Sequence, residues 1–169
     1  RWKDLLLLLR RLLQRLTTMT MTSRSNRSHV WCGVDPGRSG AIAFVPERSR
    51  AWCVKLSEPL DVICDAITDA QTLGTLTAVL EKVHSSPQMG VKSAFSFGQS
   101  YGQCEAMLTA LCVPITRVSP QRWQKDLGCL TKGDKNVTKQ MAAELFPDLK
   151  VTHATADALL LGKWGWEKK

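Results

Sequence analysis

A single carboxylate at the end of an apolar strand places the strongest constraint on this chain. The segment 30–45 reads VWCGVDPGRSGAIAFV, in which alternating apolar residues lead to Asp35 and an apolar run follows the turn. The turn residues at 36–40 predict a hairpin connection between two strands. A partly buried carboxylate is costly unless a cation or a hydrogen-bond donor meets it. Asp35 is therefore a candidate site residue, although a turn aspartate that hydrogen-bonds its own backbone is an alternative.

Two further acids interrupt apolar segments. LTAVLEKVH (residues 76–84) reads as a buried strand that contains Glu81, and glutamate is depleted in strands. Asp157 lies in THATADALLLGKWG (residues 152–165), which has helical spacing, and there it could simply complement the helix dipole. If the Glu81 strand lies beside the Asp35 strand, the carboxylates converge on a site for a hard cation such as Mg²⁺ or Mn²⁺.

Five blocks in chain order resemble RuvC-type Holliday junction resolvases. They are GVDPGRSGAIAFV, LEKVHSSPQMGVKSAFSFGQSYG, VSPQRWQKDLG, DKNVTKQMAAELFPD and HATADALLLGKWG, and they run from about residue 30 to 165. Within that family the chain is most similar to the chloroplast (monokaryotic-chloroplast type) resolvases of plants and algae and their bacterial and phage relatives. The resemblance implies an α/β, RNase H-like fold, a mixed β-sheet flanked by helices. It also implies a homodimer that binds four-way junction DNA, with one metal-dependent active site per subunit.

The resemblance also implies roles for individual residues. Asp35, Glu81 and Asp157 match the metal-binding acids, and His153 matches a histidine of the family. Close relatives carry Asp-His-Gly-x-Ala-Asp before the last helix, whereas Thr152 stands here in place of the first acid. His153 and Asp157 would share one helix face, so His153 either assists the metal site or makes a local hydrogen bond. Two divalent ions about 4 Å apart would activate a water and stabilise the leaving 3′ oxygen, with Asp35 as the bridging ligand.

The charge distribution indicates where DNA would bind. Much of the net charge of +8 comes from residues 1–30, which hold seven basic groups and one acid. Of the remainder, residues 117–169 carry ten basic and six acidic groups, a balance suited to phosphates. Glu81 is followed by a predicted loop at 85–92 and a predicted helix from 95 to 112. The aromatic residues of this helix either stack on unpaired bases or fill a core. The predicted DNA-contacting residues are Lys92, Tyr101, Arg122, Lys125, Lys132, Lys135 and Lys139.

Local patterns predict the remaining elements. Strands are expected at 51–56 and 115–118, and helices at 58–73, from Pro120 onward and at 135–146. The six cysteines form no C-x-x-C pair and lack a His-rich partner spacing, which predicts free thiols in a reducing compartment rather than a zinc site.

The segment 1–29 is predicted to be separate from a resolvase domain at 30–169. It is rich in Arg, Leu, Ser and Thr and nearly free of acids, which is typical of an organelle transit peptide. Its five consecutive leucines are far too few to span a bilayer, so no membrane partner is predicted. Because the chain begins with Arg, we expect a fragment or a start at Met19 or Met21 that leaves a short disordered tail. The expected location is a chloroplast or mitochondrion for a transit peptide, and the cytoplasm or nucleoid otherwise.

Two rival functions remain open at this point. One is an RNase H-like nuclease that acts on other branched or single-stranded DNA, since a fold and a metal site do not fix the substrate. The other is a junction-binding protein that does not cleave, because Thr152 replaces an acid.

Overall fold

The computed structural model describes residues 28–37, 39–84, 88–131 and 133–168. Residues 1–27 of the predicted segment 1–29 lie outside the described residues, and so does Lys132. The strands are β1 (His29–Val34), β2 (Ala41–Pro46), β3 (Trp52–Lys55), β4 (Thr75–Glu81) and β5 (Ile115–Val118). The helices are α1 (Leu60–Leu73), α2 (Val91–Ala110), α3 (Pro120–Leu127), α4 (Asn136–Leu145) and α5 (His153–Glu167).

The strands form one mixed sheet in the order β3-β2-β1-β4-β5. β2 runs antiparallel to both β1 and β3, which confirms the predicted hairpin, while β1, β4 and β5 are parallel. Parallel strands need long crossovers. The chain runs through β2, β3 and α1 from β1 to β4, and α2 connects β4 to β5. The predicted α/β class, a mixed sheet flanked by helices, is confirmed.

Both faces of the sheet are buried under helices, as strands with apolar residues on both sides require. One face packs against α1 and α2, and the other packs against α3, α4 and α5. The first core includes Val30, Cys32, Val34, Ile42, Phe44, Ile63, Ile67, Leu76, Leu80 and Leu108. The second includes Ala41, Ala43, Val79, Trp123, Ala142, Ala158, Leu159, Leu160, Leu161 and Trp164.

Helix α5 lies unusually close to β1. A Cβ atom at Gly33 would collide with the carbonyl oxygen of Ala158 and the backbone nitrogen of Gly162. A Cβ atom at Gly165 would approach the ring of Trp31 and a methyl group of Val79 to 2.7 Å. Glycine is needed at these positions because backbone meets backbone or side chain there without room for a methyl group.

The helix after β4 begins earlier than the sequence indicated. It starts at Val91 rather than residue 95, so Lys92 lies in its first turn and not in a loop. Gly90 is the N-cap residue, and its carbonyl accepts the first helical hydrogen bond from Ala94 at 2.9 Å. The prediction was wrong because Gly90 was interpreted as a loop residue rather than as a cap. The helix ends at Ala110, before Cys112 adopts a left-handed conformation with φ of 56°.

The strand predicted at 76–84 ends at Glu81, three residues early, and the remaining predicted elements form within two residues of their expected limits. All six cysteines fall in the described ranges and are free thiols, and Cys32, Cys104 and Cys129 are buried. None of the helices in the described part of the chain is both long enough and apolar enough to cross a membrane.

Gly33→Ala is expected to lower the free energy of unfolding by about 3 kcal/mol, because its methyl group meets rigid helix backbone that cannot yield cheaply. Gly90→Ala is the matched comparison, since no atom lies within 4 Å of its Cβ position. Loss of a glycine N-cap should cost about 1 kcal/mol or less. Denaturant unfolding measures both values, and equal destabilisation would contradict the close approach of α5 to β1.

Candidate active site

Asp35 and Glu81 are brought together by strand register. β1 and β4 are parallel, and Val34 pairs with Leu80. The next residue along each strand direction is Asp35 after Val34 and Glu81 after Leu80, so these two acids lie side by side. Side chains alternate between sheet faces. Glu81 therefore shares the α5 face with Val79, and Asp35 shares it with Gly33. The expectation that the two strands lie side by side is confirmed.

The turn after β1 holds Asp35 firmly. Its backbone N–H donates to the Ala41 carbonyl at 3.1 Å, and its Oδ1 accepts from the Gly37 N–H at 2.9 Å. A Cβ atom at Gly40 would collide with the backbone oxygen of Asp35. Asp35 thus does hydrogen-bond its own turn, as the alternative interpretation held, and this bond fixes the direction of its carboxylate.

Asp157 reaches the same place from the opposite layer. It precedes Ala158, whose carbonyl oxygen abuts Gly33, so α5 carries it over the end of β1. Within the described residues, Oδ1 of Asp157 is buried without a hydrogen-bond partner. Burial raises the pKa of Asp157, while the Thr138 hydroxyl and the charges of Lys135 and His153 lower it.

The three carboxylates repel one another in a desolvated site. Burial raises the pKa of Glu81 to about 7, against its ordinary 4.5, and the charges of Asp35 and Asp157 add to this rise. Burial also raises the pKa of Asp35, opposed by the Gly37 N–H, and the charge of Asp157 raises it further. Like charges that share a buried site disfavour ionisation of one another. A divalent cation bound among these carboxylates would stabilise their ionised forms.

The side chains do not yet form a coordination shell. In the residues that the structure describes, no three His, Cys, Asp or Glu side chains are placed to hold one ion together. The chemistry of the donors nevertheless fits a hard divalent cation, because all three are carboxylates and the Asp157 Oδ1 is buried without a partner. A single ion would contact all three carboxylates only if these side chains moved closer together.

His153 and Thr152 lie at the start of α5. Thr152 is the N-cap residue and forms a reciprocal capping box with Thr155, whose hydroxyl accepts from the Thr152 N–H at 3.0 Å. His153 is exposed in the first turn, and its charge acts on Asp157. Thr152, which stands in place of the acid of close relatives, therefore caps the N-terminus of α5.

One residue of the site was missed by sequence reasoning. The indole Nε1 of Trp123, in α3, donates to Glu81 Oε1 at 2.8 Å, and both side chains are buried. The only available signal was a tryptophan within the block VSPQRWQKDLG, and nothing in that string says which side chain its N–H meets.

The predicted DNA-contacting residues that the structure describes are distributed over three helices. Arg122 and Lys125 are exposed on α3, and Lys139 is half-buried on α4. Lys135, at the start of α4, is exposed and lies near enough to lower the pKa of both Asp35 and Asp157.

The two predicted contacts on α2 differ in their surroundings. Lys92 is exposed and lines cavities of about 430 and 320 Å³ beside α2. Tyr101 is half-buried against the first core, and its hydroxyl meets Arg117 and Glu105, which pair with each other at 2.7 Å. The roles of these residues in DNA contact stay predictions.

Two solved structures share this fold. A structure of Thermus thermophilus RuvC is 19% identical, with a TM-score of 0.56 over 80% of this chain and 92% of that chain. A structure of T. thermophilus RuvC in complex with Holliday junction substrate is 17% identical, with a TM-score of 0.54 over 80% of this chain and 91% of that chain. No family model and no curated protein matches the sequence. The likeness confirms the RNase H-like fold.

Glu81→Gln is expected to stabilise the chain at pH 8 in the absence of divalent cations, by about 3 kcal/mol. Because the folded pKa of about 7 exceeds the ordinary 4.5, ionisation penalises the folded state as pH rises between these values. The stabilisation should therefore be complete above about pH 7 and vanish below about pH 4.5. Denaturant unfolding in EDTA across this range measures it, and a difference independent of pH would contradict the assigned burial of the charge.

Proposed function

We propose that this chain is a RuvC-type, divalent-metal-dependent endonuclease that resolves four-way DNA junctions by paired phosphodiester cleavage. The observation that carries the proposal is the convergence of Asp35, Glu81 and Asp157 at one edge of an RNase H-like sheet. We also propose that the chain is of the chloroplast type within that family, which its five sequence blocks resemble. A transit-peptide role for residues 1–29, and with it an organelle location, belongs to the same proposal.

The site residues divide the work. Asp35, Glu81 and Asp157 would hold Mg²⁺ or Mn²⁺, which when bound would supply positive charge to the scissile phosphate and lower the pKa of water. Lys135 is the N-cap residue of α4 and lies near the carboxylates. Its ammonium group would bind a phosphate oxygen of DNA there. His153 is exposed one helical turn before Asp157 on the same helix, and its charge acts on that carboxylate. Arg122 and Lys125 extend the positive surface along α3.

Paired cleavage requires two copies of the site, and α2 offers a surface for a second copy. Val91 is 88% exposed and Phe95 74% exposed, and both belong to a helical stripe on α2. Gly98 and Gly102 continue this stripe with open space beside them, and Ala106 extends it. Large exposed apolar side chains next to small residues suit a helix that packs on its own symmetry mate.

Glu81→Gln is expected to reduce cleavage of a labelled four-way junction by more than about 100-fold while junction binding is retained. The change keeps the shape of the side chain and removes one ligand charge. Glu144→Gln is the matched control, because that glutamate is exposed on α4 away from the carboxylates. Cleavage is measured in Mg²⁺ and binding by mobility shift in EDTA.

The same assay separates the rival functions. Equal cleavage of linear duplex or of single-stranded DNA would favour a general RNase H-like nuclease, and binding without cleavage by the unmodified chain would favour a junction-binding protein. Cleavage by Glu81→Gln at the rate of the unmodified chain would remove Glu81 from the site.

Phe95→Glu is expected to convert a dimer into a monomer, because it places a charge in the apolar stripe of α2. Sedimentation velocity measures the change, and paired cuts in a junction should become single nicks. Val62→Glu is the control, since Val62 is an exposed apolar residue on α1. A chain that is already monomeric before substitution, or a dimer that survives it, would contradict the assignment of this surface.

A further inference from the structure

Trp123 contacts the candidate site from a helix that carries none of its carboxylates. Its Nε1 donates to Glu81 Oε1 at 2.8 Å, with Trp123 fully buried and Glu81 8% exposed. An indole can only donate and an ionised carboxylate can only accept, so each satisfies the other. Loss of the donor would leave a buried carboxylate oxygen without its partner, which is costly.

The backbone fixes where this donor stands. Val118, the last residue of β5, pairs with Glu81 in the parallel ladder, and α3 begins two residues later at Pro120. Trp123 therefore follows the strand next to Glu81 after less than two turns of helix. Its ring is held over the end of β4 by a short connection, and α3 has little freedom to carry the N–H elsewhere.

The hydrogen bond also distinguishes the two oxygens of Glu81. A glutamate side chain has three rotatable bonds, and burial alone does not choose among its rotamers. Because Oε1 accepts from Trp123, the carboxylate is held in one orientation, and Oε2 is the oxygen that this bond does not use. The charges of Asp35 and Asp157 act on the same carboxylate.

We propose that Trp123 is a positioning residue that fixes Glu81 Oε1 and so presents Oε2 to the divalent cation. This inference rests on the proposed function. Groups that hydrogen-bond to a metal ligand orient it, and their loss lowers metal affinity by about 10–100-fold.

The test compares two equivalent substitutions in the full chain. Trp123→Phe removes the N–H and is expected to weaken Mn²⁺ binding, measured by isothermal titration calorimetry, by about tenfold or more. Trp164→Phe is the matched control, because that indole also donates to a carboxylate, Asp126, at 2.9 Å. Asp126 keeps a second partner in Lys168 at 3.2 Å, so α3 and α5 stay tied when the indole is lost. Mn²⁺ affinity should be unchanged in Trp164→Phe.

A double-mutant cycle tests whether Trp123 acts through Glu81. In a Glu81→Gln background, Trp123→Phe should cause no further loss of Mn²⁺ affinity, because the ligand that it positions is already gone. Equal additional loss with and without Glu81 would overturn the proposal, since Trp123 would then act through general packing.

A measurement on the unmodified chain covers the case in which Trp123→Phe does not fold. In protein labelled with ¹⁵N at the indole nitrogens, the Trp123 Nε1–H signal should shift as Mg²⁺ is added, and the Trp164 signal should not. A Trp123 signal that does not respond overturns the proposal.

If the chain binds Mn²⁺ and Trp123→Phe binds it equally well, only the role of Trp123 fails. If the unmodified chain binds no Mn²⁺, the cation site of the proposed function fails as well.

Discussion

The close packing of α5 on β1 is the contact on which the candidate site depends. Gly33 admits the backbone of α5 at Ala158 and Gly162, and this approach carries Asp157 over the end of β1. A helix separated from the sheet by ordinary side chains would hold Asp157 further from Asp35 and Glu81. The glycines are therefore as much a part of the site as the carboxylates, because they set the distance between the two layers that meet there.

The site is built at the expense of stability. Three acids are desolvated together, and the pKa of each is raised chiefly by burial. Neighbouring groups offset part of this penalty, including the Gly37 N–H at Asp35, Trp123 at Glu81 and Thr138 at Asp157. A buried cluster of like charge serves no purpose in packing, and perturbed pKa values of this kind gather at functional sites. A divalent cation would turn the same repulsion into attraction.

The sequence was sufficient to predict the strands and the hairpin, because their apolar residues lie between turn residues. The acids that interrupt these apolar patterns were thereby identified as candidates. The adjacency of Asp35 and Glu81 was only a condition at that stage, because a single sequence does not say which strands are neighbours in a sheet. The parallel register of β1 and β4 supplies it. The Trp123 hydrogen bond could not be predicted, as it depends on how α3 folds back over β4. The predicted start of α2 was wrong because a glycine such as Gly90 is common both in loops and as the N-cap of a helix. The capping role of Thr152 was equally hidden, since it is decided by the hydroxyl geometry of Thr155.

Asp35, Glu81 and Asp157 are proposed to bind a divalent cation together. An anomalous difference map from crystals soaked in Mn²⁺, at a concentration that supports junction cleavage, tests this proposal most directly. We expect a peak within about 2.0–2.3 Å of a carboxylate oxygen from each of Asp35, Glu81 and Asp157. A peak elsewhere on the chain, or none at this edge of the sheet, would contradict it.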